Sequence, residues 1–181
     1  MATARGEICL PESIYNPLLE ALASDNYRPK TLFELVTLLP ELGFTKLAQA
    51  TAILVGNSAL APCQTQAAAQ GAAKRCQILN TELCRRAQLS KQVEWLASPV
   101  LGGGVAVNRF EQLFLLVRSQ GKKQPLEWAQ HAWGILESQQ QKIVKEGKTL
   151  ESADENLAEL LRMANELAEK RLPILKVLQV V

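Results

Sequence analysis

The stretch ASPVLGGGVAVNRFEQLFLL, residues 97 to 116, sets three consecutive glycines between two short β-like pieces and then runs into an apolar helix. Its reading decides the fold. A phosphate or cofactor cradle needs a buried strand, a glycine-rich turn and a helix whose first free N–H groups sit at that turn, because those donors and the helix dipole bind the anion. Here Val105, Ala106 and Val107 separate Gly104 from the predicted N-cap Asn108. The glycines therefore stand roughly 10 Å from the donors, at about 3.3 Å per extended residue. No long Val/Ile run precedes them, no second βαβ unit follows, and no Lys-Ser/Thr pair ends the turn. Gly102, Gly103 and Gly104 read as a flexible reversal between ASPV and VAV.

Working outward from the glycines, the residues before them predict three short helices and an extended piece. LPESIYNPLLEALA places Ile14, Leu18, Leu19 and Leu22 at helical spacing, and Ser24-Asp25-Asn26 ends the run. Thr31 with Glu34 forms a capping box for a second helix that Pro40 stops. Thr45 is the expected cap of a third, closed by Gly56-Asn57, and SALAPC then reads as extended. Three helices opening into an extended segment is the order of a helix-turn-helix core with a wing. The wing is interrupted by a predicted helical insertion at about residues 72–90, with Cys76, Leu79, Leu83 and Ala87 on one face and a mobile Ala/Gln-rich start. QVEWLASPVL is the returning strand.

After the glycines the pattern is helical to the end. Asn108 with Glu111 caps RFEQLFLLVRSQ, Pro125 opens a helix expected to run to Gly147, and Ser152 with Glu155 caps a last helix expected to reach Pro173. The predicted fold is mainly α with a small β wing: a winged-helix-like part over residues 1–107, then a three-helix C-terminal bundle over 108–181 packed on it.

Composition narrows the class. The chain has 181 residues, 48% of them hydrophobic, and a mean hydropathy near zero, enough for one compact domain or two small ones. The first residues contain no apolar signal segment and no run long enough to span a bilayer, so the expected location is the cytoplasm, away from membranes. Cys9, Cys63, Cys76 and Cys84 show no C-x-x-C spacing and accompany a single histidine, so buried or half-buried free thiols are expected, not a metal site. The net charge of +2 hides a segregation: residues 61–91 carry Lys74, Arg75, Arg85, Arg86 and Lys91 against Glu82, whereas residues 137–170 carry eight acidic and five basic groups. The basic stretch reads first as a solvated helix face and second as a contact for an acidic surface.

Catalytic patterns are absent from this reading. His131 lies mid-helix between Trp128 and Trp133 and reads as structural, as do the two tryptophans. Glu155, Glu159, Glu166 and Glu169 read as a solvated face. No catalytic, cofactor-binding or metal residues are expected. Ser98, Pro99, Gly102, Gly103, Gly104, Asn108 and Arg109 are the candidate interaction and turn residues.

The stretches LPESIYNPLLEALA, YRPKTLFEL, LASPVLGGGVAVNRFEQLFLL, EGKTLESADENLAEL and RLPILKVLQV together resemble the C-terminal portion of bacterial class I S-adenosylmethionine-dependent methyltransferases with a methyltransferase regulatory domain, a group that includes protein lysine methyltransferases. The resemblance covers nearly the whole chain. It implies a cofactor domain elsewhere, in cis or in trans, that binds S-adenosylmethionine, and a protein substrate; the family's E/D-x-G-x-G-x-G turn is not in this sequence. The chain fits either an excised fragment or a stand-alone homologue of the tail. Two functions follow as expectations: a non-catalytic accessory module that positions substrate or binds protein, or a DNA-binding winged helix. The second is disfavoured, because the recognition helix TKLAQATAILVG offers one Lys and no Arg.

Overall fold

The structure, a computed structural model, describes residues 10–181 and the backbone of two short pieces before them, β1 (Ala2–Thr3) and β2 (Gly6–Glu7), which pair antiparallel. Cys9 lies outside the described residues. The chain is mainly helical with small two-stranded sheets. It divides into two compact units between Cys63 and Gln64, not at the expected junction of residues 107 and 108.

The first unit holds α1 (Glu12–Tyr27), α2 (Leu32–Leu38) and α3 (Gly43–Gly56) around Tyr15, Leu18, Leu35, Leu47 and Leu54. The polar run after Ala23 does break α1. Asp25, Asn26 and Tyr27 take left-handed φ of 55°, 54° and 61°, and the Lys30 ammonium holds the bend by donating to Ser24 O at 3.0 Å. The capping box at Thr31 and Glu34 forms as predicted. Thr45 does not cap α3. Gly43, at φ 68°, turns the chain into the helix two residues earlier, and Thr45 sits within its first turn. SALAPC forms turn and coil, not a strand, and no strand among the described residues pairs with it.

The second unit begins with α4 (Gln66–Arg86), whose Ala/Gln-rich start is helical, not mobile: Thr65 Oγ1 accepts the Ala68 N–H and caps it. The hairpin β3 (Trp95–Ser98) and β4 (Gly103–Ala106) pairs Leu96 with Val105 and Ala97 with Gly104. It packs on α4 and shares one core with α5 (Arg109–Ser119), α6 (Pro125–Ser138) and α7 (Ala153–Glu166), which is why the unit boundary falls before α4. Helix α5 is central: every residue from Glu111 to Val117 is buried, with α4 packing on it as well as α6 and α7. Trp128 and Phe114 are the largest fully buried side chains in this core, and Trp128 Nε1 donates to Lys122 O at 2.9 Å.

Two helix ends differ from the sequence pattern. Helix α6 stops at Ser138, and the polar run after it leads into β5 (Val144–Lys145) and β6 (Lys148–Thr149). Glu146 and Gly147 both take positive φ, 50° and 78°, so they form the two-residue turn of this second hairpin and do not terminate α6. Buried Asn156 holds the hairpin's base: its Oδ1 accepts the Ile143 N–H and its Nδ2 donates to Leu150 O, each at 2.8 Å. At the other end, Pro173 does not stop α7. A π-helical turn over Leu167–Arg171 shifts the register, and Pro173 falls in the first turn of α8 (Leu172–Val177), where its missing N–H costs nothing.

Glu159 is a further departure. It is buried, not solvated, and accepts from Arg162 at 2.6 Å and Lys145 at 2.7 Å. The Arg162 hydrogen bond, followed by that of Lys145, lowers its pKa from 4.5 to about 2. A carboxyl group whose folded pKa is depressed stabilises the fold above its unfolded value and loses that contribution as pH falls towards the folded value. Glu159→Gln is therefore expected to cost about 1 to 2 kcal/mol at neutral pH, discounted because both cations reach solvent. The gap between variant and parent should close between pH about 4.5 and about 2. Urea midpoints across that range check it, and a gap independent of pH would assign the loss to packing instead.

Candidate functional site

The glycine stretch forms a four-residue loop, Pro99–Gly102, with Gly103 and Gly104 already in β4. Only Gly102 of the three has a positive φ, 67°. The loop closes on itself: the Gly102 N–H donates to Ser98 O at 3.0 Å and the Leu101 N–H to Ser98 Oγ at 3.1 Å. Ser98 Oγ in turn donates to Leu178 O at 2.7 Å. Gly104 leaves room for the indole of Trp95, which an added Cβ would meet at 3.3 Å. Pro99 is buried. Each feature serves the turn and its attachment to the C-terminal segment.

Asn108 and Arg109 lie apart from that loop, at the start of α5. Asn108 forms the predicted capping box with Glu111: its Oδ1 accepts the Glu111 N–H at 3.0 Å and Glu111 Oε2 accepts the Asn108 N–H at 2.9 Å. Glu111 also pairs with Arg171, which donates to Ala106 O. The Arg109 guanidinium donates to Ala87 O, Gln88 O, Gln139 Oε1 and Gln141 Oε1. It ties the end of α4 to the end of α6. The seven candidate residues thus fall into two structural groups, and Asn108 and Arg109 line a cleft of about 740 Å³.

A second cleft, of about 580 Å³, lies between α4, the end of α5 and the C-terminal residues. Leu96, Leu115, Leu116 and Val180 make its floor, and Lys74 and Arg118 stand on its walls. Its polar hub is Asn80, a residue the sequence pattern passes over. The Asn80 side chain accepts the Ala97 N–H at 2.7 Å and donates to Ala97 O at 2.8 Å and Val180 O at 2.9 Å. The core face of α4 accordingly runs through Ala69, Asn80, Cys84 and Ala87, with Leu79 exposed. The clue in the sequence is the four-residue spacing of Cys76, Asn80 and Cys84, which puts one polar residue on the buried stripe.

Reactive groups are few. Cys84 is buried, and desolvation pushes its thiol up to about 11, so it stays protonated at neutral pH. Cys76 is half-buried and Cys63 is exposed, the latter against expectation. His131 is half-buried with Nε2 sealed from solvent and unpaired, and Gln112 Oε1 is buried in the same way while its Nε2 donates to Val93 O and Val107 O. Neither residue lines the two clefts. Among the described residues no group of three or more His, Cys, Asp or Glu side chains is placed to hold a metal ion, and no helix is long and apolar enough to cross a membrane.

No family model matches the chain, and no solved structure matches it. Among curated proteins it is similar to one named uncharacterized protein sll1526, from Synechocystis sp. (strain ATCC 27184 / PCC 6803 / Kazusa), with 37% identity over 172 residues. The match takes in 94% of this chain and 33% of the relative, so the chain spans about a third of the length of the curated protein it matches.

Proposed function

We propose that the chain is a non-catalytic accessory module of an S-adenosylmethionine-dependent protein methyltransferase, which positions a protein substrate or binds a protein partner. One observation carries the non-catalytic part of this reading. The glycine turn closes on Ser98 and lies a strand's length from α5, whose N-terminus is already occupied by its own capping box. Neither offers the convergent free donors that a nucleotide needs. The Synechocystis relative has about two thirds of its length outside the match, which is room for a separate cofactor domain. The first unit leaves Phe33 80% and Phe44 63% exposed, apolar surface of the kind that protein contacts cover.

In finer detail, we infer a helix-turn-helix-like trio in α1–α3 and a small bundle in α5–α7, with the β3–β4 hairpin as a wing-like element of the second unit. The composition of α3 speaks against the DNA alternative: Lys46 is its single cation.

The test uses the Synechocystis relative whole and with the matched third deleted. Both forms are expected to bind S-adenosylmethionine, the deletion to lose methyl transfer to protein, and this chain added in trans to restore part of it. Calorimetry of this chain with S-adenosylmethionine should show no binding. A micromolar site on the chain itself, or a remainder of the relative that does not bind the cofactor, would sink the proposal. Sequence-selective duplex binding that persists at physiological salt would replace it with the winged-helix reading.

A further inference from the structure

The two edges of the β3–β4 hairpin differ. On β3, Asn80 of α4 fills both backbone groups of Ala97, so that edge is closed. The Val107 N–H donates to Glu94 O, and Leu96 stands opposite Val105 and Ser98 opposite Gly103. This parity turns the backbone groups of Gly104 and Ala106 away from β3. Arg171 donates to the Ala106 carbonyl at 2.7 Å. The Gly104 N–H and C=O and the Ala106 N–H have no partner among the described residues, and both residues are exposed. Apart from β3, no described element packs on β4 to more than a slight extent. The strand Gly103–Ala106 also lacks the lysine, proline or bulge that ordinarily keeps an edge from pairing. Exposed Trp95 stands beside it, its indole against the place that a Gly104 side chain would take.

We propose that the outer edge of β4 takes up an extended strand from the polypeptide that accompanies this module in the Synechocystis relative, outside the match. Donors and acceptors in one row, with Gly104 and Ala106 about 7 Å apart, are answered by another extended backbone. A phosphodiester chain has no donors to set against the Gly104 carbonyl, and a lipid surface has no such row. A second copy pairing through its own β4 would bring only Gly104 and Ala106 to the face that carries Trp95, and would leave the indole bare. A foreign strand with a bulky apolar residue opposite Gly104 covers it. The relative has about two thirds of its length from which such a strand can come. The inference rests on the chain being an accessory module that binds protein and does not depend on its link to methyl transfer.

The probes are fluorescent peptides of about 12 residues that tile, with overlaps, the part of the relative outside the match, each titrated against the full chain. One stretch is expected to bind. Exchange of the Gly104 and Ala106 amides should then slow at least about tenfold, while that of Leu96 and Val105, already within the ladder, stays as it was. Ala106→Pro should weaken binding more than about tenfold, since proline removes an outward donor and no bond to β3. Trp95→Ala should weaken it about fivefold. N-methylation of the peptide at the amide that meets the Gly104 carbonyl should abolish binding, and N-methylation one residue along should not. The methylated peptides test the unaltered chain, so the result stands even if the proline lowers the melting temperature. The proposal is overturned by no binding at millimolar peptide, by binding indifferent to the methylated position, or by protection at amides other than Gly104 and Ala106. It is overturned too if these two amides become protected with rising concentration of the chain alone, which would make a second copy the occupant. A relative that binds no S-adenosylmethionine would sink the methyltransferase reading and leave the strand pairing in place, so the two proposals fail separately.

Discussion

Replacing Asn80 by leucine is expected to destabilise the second unit by about 3 to 5 kcal/mol, although the new side chain is apolar and of similar size. One amide serves three backbone groups: the N–H and C=O of Ala97 on the outer edge of β3, and the C=O of Val180 near the chain's end. Leucine leaves all three without partners, the Val180 carbonyl in a buried place and the Ala97 groups in a half-buried one, and an orphaned buried polar group costs about 1 to 3 kcal/mol. The transfer gain of one more buried apolar side chain offsets part of that, about 1 to 2 kcal/mol. The loss should also be local. Ser98 still holds Leu178, but the last residues lose a clamp one hundred positions away in sequence, and limited proteolysis should trim them faster in the variant than in the parent. Urea midpoints give the magnitude, and a change under about 1 kcal/mol would show that the three groups find water or other partners.

The glycine stretch supplies the second large effect. Gly102→Val is expected to cost about 2 to 3 kcal/mol, because a β-branched residue is held at positive φ there. Space adds to it: a Cβ at this position would lie 2.6 Å from Gln64 Nε2 and 2.9 Å from Gln64 Cδ and Cγ. Gln64 can swing away, whereas φ cannot change without opening the Gly102 to Ser98 hydrogen bond. Gly103→Val should behave oppositely, since its φ is ordinary and an added Cβ meets nothing within 4 Å. In a strand that change should stay within about 0.5 kcal/mol of neutral. Gly104→Val falls between them at about 1 kcal/mol, because Trp95 must yield its place but is 58% exposed and free to move. Thermal melts of the three variants separate these cases, and equal losses at 102 and 103 would refute the turn geometry.

Three capping boxes were legible in the sequence: Thr31 with Glu34, Asn108 with Glu111, and Ser152 with Glu155 all form as their spacing predicts. So was the reversal at the glycines, with β3 and β4 on either side. Each rests on contacts within a few residues along the chain, and neither burial nor topology is needed to see it. The same local logic failed where a distant group decided the outcome. The run from Gln139 to Thr149 carries enough helix-forming residues to extend α6, but Asn156 captures the Ile143 N–H from thirteen residues away and a hairpin forms in its place. Pro173 reads as a stop, yet Leu167, Leu172 and Leu175 are all buried, and the π-turn keeps them on one face of the core.

The candidate site followed the same division. Residue types alone identified a turn, a cap and a basic helix, and they did determine that glycine is required at one position of the loop and that Asn108 caps α5. Only tertiary structure decided that Arg109 is occupied by four acceptors from α4 and the residues after α6, that Glu159 is buried between two cations, and that Asn80 joins a helix, a hairpin and the C-terminal segment. Polar side chains of this kind carry no signature of burial in their own neighbourhood. Their role is set by which backbone groups the folded chain leaves without a partner, and those groups exist only once distant segments have come together.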